Sequence, residues 1–357
     1  MNFILRNIKR VIRLFYCLSF INWFRFCKNY STKEGVVVVI PGLLRNFFIN
    51  SLELDIMNIA ALLSLDQKIK IHIGINFSQY QNRKICYNPS DLFNNSKNLS
   101  NAEAIAAIVK VAEQNGNHVF LSSKEIILWE NKEYMHNLFE ELAIPTPYSK
   151  IASTDNLPHE INLEFPLLIK ELHSHASLGV HKIESLEHLK STFSNSTFKE
   201  RNEKVIIQQL LNIRKDLRVI LCGNEVLLHY WRINKSDTWK PTSTSHGSGV
   251  DFENFPEKWR AFIIEQFLKL KITTGAFDIA WQNDDLDTQP YFLEVSPSYQ
   301  PNPPVDLTNK NYSYGQYKKM FLLYNSWDSQ YLKTVFLIKK KVYTTWLKNE
   351  SLKIFYN

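Results

Sequence analysis

The 357-residue chain is poor in cysteine, and it has no long apolar run and no internal repeat. Its four cysteines, Cys17, Cys27, Cys86 and Cys222, show no metal-ligand spacing and no dense framework. That usage suits a reducing compartment such as the cytoplasm. The uncharged run of residues 14–24 is too short to cross a bilayer as a helix. No small-x-small cleavage site follows it; Asn22, Trp23, Phe24, Arg25 and Phe26 stand there instead. Acid is missing from residues 1–28, which carry Arg6, Lys9, Arg10, Arg13, Arg25 and Lys28. Residues 330–357 carry six lysines against Glu350. The two ends hold +6 and +5 of a net charge of +7, so the body between them is net acidic. That distribution excludes a basic nucleic-acid groove in the body, and no nucleic-acid partner is expected.

In residues 1–28 the bases Arg6, Lys9, Arg10 and Arg13 fall on one side of a helix. Ile4, Ile8, Val11, Ile12 and Phe15 fall largely on the other. Three readings are open: an interfacial helix on an anionic membrane surface, a helix docked on the protein's own body, and a signal or signal-anchor. The first would make the protein peripheral on the inner face of the plasma membrane. The segment 331–355 repeats the combination of lysine with Trp, Phe and Tyr, and reads equally as a basic final helix packed on the fold.

A hydrophobic content of 45% and a charged content of 22% are ordinary for a globular protein, and the length allows two or more lobes. Residues 36–40 read as a buried strand ending at Pro41 and Gly42. Helical periodicity over 51–65 and 101–114 alternates with strands over 70–76 and 118–121. This predicts an open α/β domain over 35–130, with ligands at the carboxyl ends of its strands, near Gly42 and Arg45. A helix over 131–143 stops before Pro145 and Pro147. Strands are expected at 165–170, 205–209, 217–221 and 224–232, a polar loop at 243–249 and an amphipathic helix at 256–271.

Two further strands, 275–281 and 291–297, flank a polar turn. Folded on each other they set Asp278 opposite Glu294, with Ser296 on the same face. Phe277, Ile279, Trp281, Leu293 and Val295 take the other face. Facing carboxylates repel unless a cation lies between them, and Mg2+ is held by one or two carboxylates plus phosphate oxygens. Two solvated acids on an exposed hairpin are the competing reading.

Taken in chain order, the set becomes specific. It runs Asn131-Lys132, Pro166 to Lys170, Gly179 nine residues on, Gln208 to Leu211, Asp216-x-Arg218, the turn at Gly223, Asp278, and Glu294 to Pro297. Over about residues 130–300 this order resembles the ATP-grasp superfamily, near the D-alanine–D-alanine ligase and RimK-type glutamate ligase branches. The resemblance implies an ATP-grasp fold at 131–305, with a small lobe at 131–206 and a large lobe at 207–305. Before it would come a basic segment at 1–34 and a pre-ATP-grasp α/β domain at 35–130; after it, a basic helical tail at 306–357.

Carried over by position, Lys132 and Lys170 match the lysines that meet the ATP phosphates. Ala176, Ser177 and Gly179 match the small-residue loop that closes over them. Gln209, Leu210, Leu211 and Asn212 match the segment at adenine, and Asp216 the ribose-binding acid. Arg218 and Arg232 match arginines at the reacting phosphate, and Asp278, Glu294 and Ser296 the ligands of one or two Mg2+ ions, with Mn2+ an alternative. Four positions depart from the family pattern: Glu171 where proline is usual, His175 for glycine, Ser296 for asparagine, and Ala276 for a substrate-holding arginine. The last argues against D-alanine as substrate.

The implied reaction is an ATP-dependent carboxylate–amine or carboxylate–thiol ligation through an acyl phosphate, on a small-molecule, glycan or peptide substrate, in cell-envelope modification. A kinase acting on a hydroxyl, and a non-catalytic nucleotide-binding protein at a membrane, are the alternatives. Residues 242–249 would form a lid with Gly247 and Gly249 as hinges, and Lys240 or His246 would touch substrate. His173, His175 and His181 form no convincing metal cluster.

Overall fold

Four β-branched valines and an isoleucine build β1 (Val36–Ile40), which is buried at every position. A strand with neighbours on both edges and helices on both faces needs such a run. The computed structural model describes residues 2–43, 51–93, 100–155, 164–172, 179–236, 238–305, 314–319 and 326–348. β1 pairs in parallel with β2 (Ile69–Ile73) and with β3 (Lys84–Cys86), which in turn pairs with β4 (His118–Phe120). The order β2-β1-β3-β4 makes the open α/β domain expected from the alternating pattern. β3 has only three residues, too few for periodicity to reveal it. α3 (Leu52–Ser64) and α4 (Asn101–Gln114) belong to this domain, and Ser100 with Glu103 forms a capping box at the start of α4. α5 (Ser123–Glu130) leads out of it.

The first and last described helices pack against this domain. α1 (Asn2–Leu18) and α2 (Trp23–Asn29) lie on it, and α11 (Ser326–Lys348) packs along α3. Lys9 and Arg13 point inward: Lys9 meets Asp328 at 2.7 Å, and Arg13 meets Glu53 at 2.6 Å and Asp328 at 2.9 Å. Asp328 is fully buried and Glu53 nearly so, and buried carboxylates need cations. Of the three readings of this segment, the described contacts are those of a helix docked on the body. Its apolar stripe, Ile4, Ile8, Val11 and Phe15, faces outward instead, with Trp23 and Phe24 exposed beyond it. As far as Lys348 the C-terminal segment is a docked helix, since Trp327, Tyr331, Leu332, Val335, Val342, Tyr343 and Trp346 of α11 are all buried. α10 (Tyr314–Lys319) precedes it. No helix among the described residues is long and apolar enough to cross a membrane.

The small lobe begins with α6 (Lys132–Glu141) and has an antiparallel sheet ordered β5-β8-β6-β7. Its strands are β5 (Ser149–Ser153), β6 (Leu167–Glu171), β7 (Val180–Ile183) and β8 (Lys204–Gln209). α7 (Leu186–Ser194) closes one face through Leu189 and Phe193, beside α8 (Ser196–Arg201). The large lobe is an antiparallel sheet ordered β11-β10-β9-β12-β13. It comprises β9 (Lys215–Cys222), β10 (Glu225–Ile233), β11 (Gly249–Asp251), β12 (Thr274–Ala280) and β13 (Tyr291–Ser296). α9 (Arg260–Lys269) packs Ile263 and Phe267 against Leu217, Val219, Phe277 and Ile279 on one face of that sheet. The period-2 alternation sends Asp216, Arg218, Arg232 and Asp278 to the opposite face.

Asp278 pairs with Glu294 in register, as the hairpin pattern predicts. The register then shifts: Ile279 faces Phe292, and Leu293 is displaced by a bulge. Phe292 therefore enters the core against Phe277 at a ring-centroid distance of 4.7 Å. Leu293, expected in that core, lines the cleft between the lobes instead.

Candidate active site

Four strand positions place charge on one sheet face. Arg232 on β10 lies directly across from Asp216 on β9, and Arg218 on β9 directly across from Asp278 on β12. Arg218 donates from Nε and Nη2 to the two Asp278 oxygens at 2.7 and 2.9 Å. Arg232 donates from Nε to Asp216 at 2.9 Å and from Nη2 to Asp278 at 2.8 Å. Burial alone would push the Asp278 carboxyl up, but Arg218 and Arg232 outweigh it and hold the group down at about 2. Burial opposes the Arg218 charge in turn, and Asp278 more than offsets it. The carboxylate stays ionised, fixed and ready to accept further cations.

The small lobe faces this array with two lysines. Asn131 caps α6 by accepting from the Tyr134 N–H at 2.9 Å, which makes Lys132 its first residue. The Lys132 N–H donates to the Leu172 carbonyl at 3.4 Å, tying the helix start to the end of the strand that carries Lys170. Burial pushes Lys132 down and Lys170 down to about 8, with Glu294 opposing both shifts. These are lysines held close together in a site that lacks enough negative charge to balance them.

Two cavities meet at this array. The first, between the lobes, is lined by Lys132, Lys170, Gln209, Leu210, Leu211 and Asp216. The second, of about 550 Å3, opens toward the α/β domain and α11 and is lined by Arg218 and Ser296. Arg232, Asp278 and Glu294 line both. Asp216, expected at a ribose, is 1% exposed and has its carboxylate taken by Arg232, so here it positions that arginine. Asn212 stands outside both cavities, its side chain donating to Asn283 at 2.9 Å. Gly179 stands beside the strand end, its carbonyl accepting from the Glu171 N–H at 2.8 Å. Ala176 and Ser177, together with Arg45, His173 and His175, lie outside the described residues. His181 pairs with Glu171 at 2.9 Å.

Sequence reasoning missed His136, Met135, Trp239 and Leu293 in the first cavity. His136 was detectable, since it is four residues beyond Lys132 on one helix face. Burial, with Lys170 and Lys132 nearby, pushes it down to about 3, so it is neutral, and its Nε2 has no partner among the described residues. Of the expected lid, Thr242 lines the first cavity, beside Lys240 and Pro241, whereas Ser243 and Thr244 line the second. His246 is exposed and lines neither cavity.

The donor set suits a divalent cation of the Mg2+ kind. No cluster of three or more His, Cys, Asp or Glu occurs among the described residues, which argues against a self-sufficient protein cage. Asp278, Glu294 and the Ser296 hydroxyl instead form an open edge, which phosphate oxygens could complete. Asp278 accepts three hydrogen bonds from two arginines and, as a carboxylate with about four lone-pair sites, retains one for a metal.

Residues 129–301 match the family model of the RimK-like ATP-grasp domain. Comparison with curated protein sequences finds no match. Among solved structures, the chain is similar to an ATP-grasp RimK-domain protein of Sphaerobacter thermophilus, with a TM-score of 0.51 at 12% identity over 85% of this chain and 99% of that one. It is also similar to the D-alanine–D-alanine ligase of Bacillus anthracis complexed with ATP, with a TM-score of 0.52 at 13% identity over 87% and 97%. The VanG D-Ala:D-Ser ligase of Enterococcus faecalis gives 0.50 at 15% identity over 85% and 98%. Such identities speak for the fold alone; together with the matched family model, the two lobes and the lysine–carboxylate cleft between them, they make residues 129–301 an ATP-grasp domain.

Proposed function

We propose that the protein is an ATP-dependent ligase that joins a carboxylate to an amine or thiol and releases ADP and phosphate. The observation that carries this reading is the meeting of two cavities at Arg232, Asp278 and Glu294. A nucleotide in the first cavity would present its γ-phosphate there, and an acceptor in the second would reach it from the other side. Lys132 and Lys170 supply positive charge to the triphosphate, and Leu210, Leu211 and Met135 supply apolar surface to the base. Asp278, Glu294 and Ser296 would hold Mg2+, which when bound screens phosphate charge.

The acceptor carboxylate oxygen attacks the γ-phosphorus, and the bond to the bridging oxygen of ADP breaks. The amine nitrogen then attacks the acyl carbon, loses a proton, and phosphate leaves. Arg218 and Arg232 face the charge that builds on the transferred phosphoryl, with Asp278 and Asp216 holding them in place. The segment around Thr242 and Thr244 reaches from one cavity to the other, where it can exclude water from the acyl phosphate. Hydroxylamine tests this reading, because it captures an acyl phosphate as a hydroxamate. Hydroxamate formed with ADP, across a panel of carboxylic acids, supports the ligase; a stable phosphorylated product without hydroxamate would favour a kinase.

The proposal extends to placement at an anionic membrane surface on the cytoplasmic side. Its support is now the outward stripe of Ile4, Ile8, Val11 and Phe15 with Trp23, Phe24 and the exposed Lys28, rather than Lys9 and Arg13, which are spent on internal ion pairs.

A further inference from the structure

The second cavity has a polar pole that the reaction chemistry does not use. Lys339 of α11 lines it, and its Nζ donates to Asn58 Oδ1 at 2.6 Å and Asn88 Oδ1 at 2.9 Å. The third ammonium proton has no acceptor among the described residues. Asn58 is fully buried, and its Nδ2 has no partner among the described residues. Tyr343, one helical turn beyond Lys339, is fully buried and lines the same cavity. Its hydroxyl has the Cys86 thiol, a weak acceptor, beside it and no nitrogen or oxygen partner among the described residues. One cation and one neutral donor on the cavity wall, with the Asn58 amide behind the lysine, are thus short of a good acceptor. Unfilled buried donors are costly, and a native fold keeps them where something else fills them.

The topology singles out the same place. In the order β2-β1-β3-β4 the chain leaves β1 toward β2 and returns to β3 on the other side, so the switch point lies between β1 and β3. Open α/β sheets bind ligands outside the strand ends at such a point. Asn58 belongs to α3, the helix that follows β1, and Asn88 stands two residues past β3. The charged groups around the pole are few. Asp55 accepts from Asn88 Nδ2 at 2.6 Å and does not line the cavity. Glu130, Lys318, Arg218 and Glu294 line the cavity too. Burial pushes the Lys339 ammonium down to about 8, and Cys86 and Asp55 offset only part of that effect.

We propose that Lys339 and Tyr343, with Asn58 and Asn88 holding the lysine in place, bind a second, non-reacting carboxylate of the acceptor substrate, which is therefore a small molecule with two acid groups. One positive charge with one neutral donor matches a monoanionic carboxylate better than a phosphate dianion. Between this pole and the phosphate-facing arginines the cavity walls include Tyr87, Trp129, Val335 and Ile338, which suit the carbon chain between the two acids. This assignment rests on the ligase reading, and its test does not require turnover.

The test is calorimetric titration of the full chain, without nucleotide, with malonate, succinate, glutarate and adipate, beside inorganic phosphate and glutaramide. At least one dicarboxylate should bind saturably, and phosphate and glutaramide more weakly. Lys339→Gln should weaken that binding about ten- to a hundredfold, as expected for a lost charged hydrogen bond. Tyr343→Phe, which keeps the ring, should weaken it a few fold and preserves the test if the lysine variant fails to fold. Lys170→Ala should leave it unchanged. The assignment is overturned if none of the four acids binds the folded parent, if phosphate binds more tightly than all of them, or if folded Lys339→Gln binds as the parent does. Dicarboxylate binding in a chain that shows no Mg-ATP binding would sink the ligase reading and leave the anion pole standing.

Discussion

Replacing Lys170 by methionine should make the ligand-free protein more stable while abolishing its response to nucleotide. Burial pushes this ammonium down to about 8 from an ordinary 10.5, and Glu294 offsets only part of that effect. A tenfold change in proton affinity is worth about 1.4 kcal/mol, so holding Lys170 charged at neutral pH costs the folded state about 3 kcal/mol. The sign follows from linkage. Between the folded value of about 8 and the unfolded value of 10.5 the unfolded chain binds the extra proton, so the parent gains stability as pH rises through that window. Methionine is of similar length and carries no charge, so it removes the cost at pH 7 and raises Tm by a few degrees. Its advantage over the parent should shrink as pH approaches 10.5. Mg-ATP should reverse the order: at about 100 times Kd the parent gains about 2.7 kcal/mol, and the variant gains little. Scanning calorimetry at pH 7 and pH 10, with and without Mg-ATP, reads all four states. A ligand-free variant less stable than the parent, or an equal gain from Mg-ATP in both, refutes the reasoning.

Asp278→Asn leaves Arg218 and Arg232 buried around a neutral amide, so it should cost about 3–5 kcal/mol in urea unfolding and also remove Mg-ATP stabilisation. An unchanged urea midpoint would mean the arginines find other partners. Asp328→Asn removes the shared acceptor of Lys9 and Arg13 and should destabilise the chain by a similar amount, with protease cleavage appearing first within α1. The double variant Phe15→Ser, Phe24→Ser alters only exposed positions, so its Tm should stay within about 1 °C of the parent while flotation with phosphatidylserine vesicles is lost. Equal flotation of both forms would remove the membrane from consideration.

Periodicity and motif order determined much of this protein. The buried run at β1, the capped α4, and the facing of Asp278 and Glu294 follow from local pattern, because strand alternation and helix caps act over a few residues. The spaced lysines, arginines and carboxylates pointed to one site, and Lys132, Lys170, Gln209, Arg232, Asp278 and Glu294 line one cavity between the lobes. Other features needed the tertiary structure. A one-residue bulge exchanged the places of Phe292 and Leu293, and nothing in a period-2 pattern marks where such a shift falls. Asp216 proved to be the partner of Arg232, since a carboxylate buried beside a guanidinium is settled by cross-strand register between β9 and β10. The basic face of α1 turned inward because Glu53 and Asp328, 40 and 315 residues away from Arg13 along the chain, are buried beneath it. Helical periodicity shows that a helix has two faces, but only the charge lying under the docked helix decides which face turns in.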